Sequence, residues 1–169
     1  MSIKREVNIF TKRLQKTINV AAGNKRLLTQ VGRIAARLIK RRTRNGFGVS
    51  QPGANAERLK RLSQAYVSFR SNSRDLSSET TPGKSNLTFT GVLLNSLRVV
   101  KADSQKREVT VDASRRRRRG GLTNEKVAEF VSEQGREFLN LSRREITQVT
   151  RSFNRSYREQ FKKSVRSQR

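Results

Sequence analysis

The chain has no cysteine and no histidine. Disulfides, thiolate zinc sites and imidazole acid–base chemistry are therefore excluded from the start. Its two prolines both stand in Pro-Gly pairs, at 52–53 and 82–83, which punctuate turns. Apolar residues make up 33% of the sequence, below the usual ~45–50%, so a core forms only if several segments share it. No apolar run approaches the ~18 residues of a membrane span. The opening Met1-Ser2-Ile3-Lys4-Arg5-Glu6 lacks the apolar stretch of a signal peptide. A protein made and used in soluble form, without membrane attachment, is expected.

Acidic side chains are also few. Against 13 Asp and Glu stand 39 Lys and Arg, a formal charge of +26. Such a chain repels itself and attracts phosphate backbones or acidic protein surfaces, because each neutralised phosphate releases a counterion. Solvated helix faces explain single lysines and arginines but not a threefold imbalance. A length of 169 residues suits one core. The expected organisation is a single domain over 1–150 and a basic helical extension over 151–169.

Ile3, Val7, Phe10, Leu14 and Ile18 recur at helical spacing, with Lys12, Arg13 and Lys16 outside, and predict an amphipathic helix over 3–20. Gly23-Asn24 breaks it. Asn24 is placed to cap a second helix ending near Arg42, with Leu27, Leu28, Val31, Ile34, Ala35, Leu38 and Ile39 as its stripe. Turn formers between Thr43 and Asn55 predict a loop anchored by Phe47 and Val49. Leu59, Leu62, Tyr66 and Phe69 predict a short helix, and the Ser/Asn/Thr-rich stretch 71–86 a mobile excursion. Thr90 is expected to cap a brief helix through Leu94. Strands over 97–102 and 107–113 then form a hairpin in which Val99 faces Val109 or Val111, and Arg98, Glu108, Thr110 and Asp112 point out. A helix over 124–134 should turn Val127, Phe130 and Val131 inward. Ser142-Arg143-Arg144-Glu145 is a capping box that starts a long final helix. The fold class predicted is α+β, with helices packed around a small antiparallel β-sheet and long amphipathic N- and C-terminal helices.

Three constellations carry the functional argument. Arg115, Arg116, Arg117, Arg118 and Arg119, followed by two glycines, place five fixed charges where they can meet phosphates or an acidic partner. On the last helix Ile146, Val149, Phe153, Tyr157, Phe161 and Val165 keep one side apolar. Arg144, Arg151, Arg155, Arg158, Lys162 and Arg166 form a ridge opposite, suited to DNA or to an acidic protein. Membrane attachment fits less well, since the apolar side is needed by the core. Glu125, Glu129 and Glu133 line one side of a helix, and like charges at that spacing repel by a few tenths of a kcal/mol. A salt bridge to a basic face of the same or a neighbouring subunit offsets this, a charge-complementary ring contact being expected; a metal site would need converging ligands that one helix side does not supply. No metal, cofactor or small-molecule substrate is expected. No phosphate-cradling glycine loop precedes a Lys-Ser or Lys-Thr pair, no base-reading motif is visible, and nothing marks an enzyme.

The order of several short stretches resembles the virion-morphogenesis and tail-completion family of tailed phages. They are Gln30-Val31-Gly32-Arg33-Ile34-Ala35 with Arg42-Thr43; Leu59-Lys60-Arg61-Leu62-Ser63 with Tyr66 and Arg70; the run Leu87 to Val99 around Thr90-Gly91; and Gly135-Arg136-Glu137-Phe138-Leu139-Asn140-Leu141-Ser142. The resemblance covers residues 25–150. Glu137 stands where the family often has proline, and the arginine run and basic tail are particular to this chain. The resemblance implies a non-catalytic α+β protomer of a head–tail joining (neck, connector or tail-completion) protein, a structural virion component assembled in the host cytoplasm. It implies a homo-oligomeric ring, such as a hexamer or dodecamer, meeting portal or tail-tube proteins, with double-stranded DNA nearby and no sequence-specific reading. The alternative is a general nucleic-acid-binding protein of ribosomal or nucleoid type; a third class, a metal-dependent nuclease, would reveal itself by turnover.

Overall fold

The computed structural model describes residues 24–78, 80–103, 108–113 and 123–166, with the side chains of Glu108 and 160–166 excluded. The helix expected over 3–20, residues 104–107 of the expected hairpin and the arginine run lie outside these residues. The described chain mixes helix and strand in the order α1 (Lys25–Arg44), β1 (Phe47–Gly48), β2 (Glu57–Arg58), α2 (Gln64–Ser71), α3 (Val92–Ser96), β3 (Leu97–Asp103), β4 (Glu108–Ala113), α4 (Asn124–Glu133) and α5 (Arg143–Arg166). Its strands form two separate antiparallel pairs, β1 with β2 and β3 with β4.

Helix α1 organises the rest. The Asn24 side chain accepts from the Leu27 N–H at 3.2 Å, the cap read from sequence. Leu27, Leu28, Val31 and Ala35 bury one side of the helix against Val149 and Phe153 of α5, with Val109 and Val111 of the hairpin packed alongside. A second cluster joins Ile39 to Leu93, Leu94, Leu97, Ala113, Ala128 and Phe138. Half-buried Leu141 touches both clusters, so the two are continuous. Helix α5 runs unbroken past residue 150, and Phe153 is buried.

The hairpin pairs Val99 with Val111, as its alternation predicts, and Arg98 and Thr110 are exposed while Asp112 is half-buried. A bulge at Val100 then shifts the register, pairing Lys101 with Thr110 and Ala102 with Val109. The extra residue leaves Val100 47% exposed and turns Ala102, not Lys101, toward the core. Val99 and Val109 sit so close to Gly32 that a Cβ there would lie 2.6 and 2.7 Å from their methyls. Glycine is what lets α1 lie on the sheet.

Four expectations are corrected. The loop after α1 is not wholly irregular: β1 and β2 pair through Phe47–Arg58 and Gly48–Glu57. Val49 anchors it as expected, buried, with its N–H donating to the Glu137 carbonyl at 3.0 Å. The next helix begins only after Ser63, whose hydroxyl accepts from Tyr66 N, leaving Leu59 buried but outside the helix. Thr90 does not cap α3; Gly91 does, in the left-handed region at φ 68°. Phe130 points out of α4 and is 60% exposed, because Asn124 and Ala128 form that helix's buried side, with Val127 and Val131 packed beside it.

The stretch read as a mobile excursion is fastened at its root. Buried Arg70 donates to the carbonyls of Lys84 and Thr81 and to the Thr80 hydroxyl. Asn86, also buried, accepts from the hydroxyls of Thr80 and Thr88 and donates to the Arg44 carbonyl. These bonds replace the apolar contacts that the segment's composition lacks.

Candidate functional site

Helices α1 and α5 pack side by side, antiparallel, and two polar fastenings fix them. At one end Arg42 and Glu145 form a buried ion pair at 2.5 Å, with side chains 8% and 10% exposed. The same guanidinium donates to the carbonyls of Phe138 and Asn140. Glu145 also accepts from the Ser142 N–H at 2.8 Å while Ser142 Oγ accepts from Glu145 N, closing the predicted capping box. Burial lowers the Arg42 pKa, and Glu145 opposes that shift by charge and hydrogen bond. At the other end Gln30 Nε2 donates to Ser156 Oγ at 2.8 Å.

Between the fastenings the helices leave an open groove of about 750 Å³. Ile34 and Leu38 contribute its apolar lining, Arg37 and Arg41 stand along one wall, and Arg151 and Arg155 along the other. All four arginines are exposed, and no acidic side chain lines the groove. On the far flank of α1 a wider cleft of about 1200 Å³ is lined by Lys25, Arg26, Arg33, Lys40, Arg98 and Lys101, again without an acid, and Arg37 borders both. Burial, followed by the neighbouring Arg44 charge, lowers the Lys40 pKa.

The predicted ridge on α5 is therefore only half of a basic surface. Arg151 and Arg155 join Arg37 and Arg41, and Arg158 borders a shallower hollow with Arg151, Arg155 and Glu159. Arg144 is exposed but lines none of these hollows. Lys162 and Arg166 belong to the helix with side chains outside the described residues, as does the whole of Arg115–Arg119. The contribution of α1 escaped the sequence reading because Arg37 and Arg41 look like any solvated face until α5 is placed beside them.

Three of the acids lie apart from the basic groove, while Glu159 stands on the α5 ridge beside Arg155 and Arg158. Glu129 and Glu133 are exposed on α4 and Glu125 is half-buried, on a helix that rests on α3 and β4 rather than on α5. Among the described residues no three His, Cys, Asp or Glu side chains converge as a metal site. No described helix is long and apolar enough to cross a membrane. One further feature was not foreseen: Tyr66, Phe69 and Phe89 gather at ring distances of 5.8 to 6.4 Å, with the Arg70 guanidinium 5.9 Å from the Tyr66 and Phe89 centroids. Tyr66 and Phe69 remain 40% and 58% exposed. Phe89 lies twenty residues from Phe69, so helical spacing gave no signal for the trio.

No family model matches the chain, and neither the curated proteins nor the solved structures provide a match.

Proposed function

We propose that this protein is a structural, non-catalytic joining component of a tailed-phage virion, acting at the head–tail junction as part of an oligomeric ring. The observation that carries the reading is the separation of charge on one protomer: an acidic helix edge, Glu125, Glu129 and Glu133 with exposed Phe130, and basic faces on both flanks of α1. Unlike faces on one subunit favour head-to-tail contacts, which close into rings when the rotation allows. Phe130 supplies the large apolar side chain that such contacts use as an anchor. The ordered resemblance over residues 25–150 supplies the setting, and the fold is compatible with an α+β protomer built of helices around a small antiparallel sheet. In that setting the basic surfaces face DNA passing through the neck or acidic neighbouring proteins of the portal or tail tube.

The reading is tested by measuring the protein's mass in solution by light scattering and by imaging it with purified DNA-filled heads and with tails. A ring and added density at the junction are expected. A monomer that ignores particles but coats nucleic acid at physiological salt would replace it with the general nucleic-acid-binding reading.

A further inference from the structure

From the groove between α1 and α5 we infer a binding site for the phosphodiester backbone of duplex DNA, formed by Arg37 and Arg41 on one wall and Arg151 and Arg155 on the other. The inference rests on the joining reading for the identity of the polyanion, since duplex DNA traverses a neck; the chemistry of the site comes from the groove itself.

The arginines on each wall stand four residues apart, and four residues of α-helix rise about 6 Å. Each wall thus offers two guanidinium groups in line, and a DNA strand offers one charge about every 3.4 Å of axis. None of the four side chains is paired within the described residues and all four are exposed, so their donors are available to phosphate oxygens, which the planar fork meets two at a time. Gln148, Ser152 and Ser156 add neutral donors along the same lining. The walls are also held in place: the span from Gln30 to Arg42 is twelve residues, about 18 Å of helix, with a bridge to α5 at each end. A ligand entering the groove does not have to order the helices that grip it.

The lining also decides between phosphate and an acidic protein. Specific protein contacts centre on aromatic or arginine anchors seated in well-packed, desolvated pockets, whereas the four groove arginines are exposed. The groove's apolar residues, Ile34 and Leu38, are half-buried against the core, and no aromatic side chain lines it; of the exposed aromatics among the described residues, Phe130, Phe69 and Tyr66 stand on other elements, and Tyr157 stands on α5 outside the groove lining. A lining with four unpaired, exposed cations and no aromatic side chain is matched to a backbone of charge.

The test uses the full chain and a fluorescent duplex of 30 base pairs, with affinity followed by anisotropy between 50 and 200 mM NaCl. The groove variant R37Q/R41Q/R151Q/R155Q is compared with a control, R58Q/R61Q/R74Q/K84Q, that removes the same charge from exposed positions elsewhere. Each lost phosphate contact reduces the slope of log K against log salt by about 0.9. The groove variant should therefore lose about 3 to 4 from the wild-type slope and the control less than about 1, with circular dichroism confirming that both fold. The single variants R37Q and R155Q should each lose about 0.9, which keeps the test available if the quadruple variant misfolds. Equal slope losses in the groove variant and the control would overturn the inference, because net charge alone would then explain binding. So would a groove variant that keeps the duplex slope but loses affinity for poly-glutamate, which would mark a protein-docking groove. Light scattering on the same samples keeps the joining reading separate: a wild-type monomer with the predicted slope loss would sink that reading and leave the groove standing.

Discussion

Replacing Arg42 by methionine keeps the bulk of the side chain and removes its charge from a site that is 8% exposed. Three acceptors then lose a donor at once: the Glu145 carboxylate and the carbonyls of Phe138 and Asn140. Breaking a buried ion pair from one side costs about 3–5 kcal/mol, because the other charge is left in a poorly solvated place. At this chain length each kcal/mol moves the melting temperature by about 2–4 °C, so R42M should melt about 6–20 °C below wild type. Glu145→Gln leaves Arg42 bonded to two carbonyls and retains a side-chain oxygen for the Ser142 N–H; it should cost less, about 1–3 kcal/mol. The double variant R42M/E145M removes both charges and loses the cap, worth about 1 kcal/mol, and should be more stable than R42M alone. Urea denaturation followed by circular dichroism, with unchanged m-values, measures all three. An R42M variant within about 1 kcal/mol of wild type, or a double variant no more stable than R42M, would refute the view that this pair fastens α5 to α1.

Phe138 is fully buried in the second cluster, and Phe138→Ala should cost about 3–5 kcal/mol in the same denaturation assay. Gly32→Ala gains helix propensity of about 1 kcal/mol but drives a methyl into Val99 and Val109; overpacking at about 1–3 kcal/mol should cancel or exceed that gain, and a clearly stabilised variant would show that the hairpin yields. Glu129→Lys, at an exposed position on α4, should leave the melting temperature within about 2 °C of wild type while weakening self-assembly seen by light scattering, and normal assembly would remove α4 from the subunit contact.

Local signals served well where the deciding interaction is local. The stripe and cap of α1, the Val99–Val111 pair and the Ser142–Glu145 box each depend on residues within a few positions or on a short hairpin. Where a distant partner decides, the pattern misled or stayed silent. Phe130 looked like a core residue because its spacing from Val127 is helical, yet the surface beneath α4 accepts Asn124 and Ala128. Arg42, read only as the end of the second helix and as part of the resemblance, gave no local sign of burial, which is settled by a carboxylate 103 residues away. The basic ridge on α5 was legible as half of the basic groove lining, while its opposite wall on α1 became apparent only once the two helices were packed. The bulge at Val100 has the same character: two adjacent valines, Val99 and Val100, do not reveal which one is extra.

The proposed joining of heads to tails by a ring of this protein is tested most directly by imaging DNA-filled heads and tails mixed with and without the purified chain. Joined particles with ring-shaped density at the junction, formed only when the chain is added, are predicted. Heads and tails that stay apart, with the protein spread along free nucleic acid, would contradict the claim.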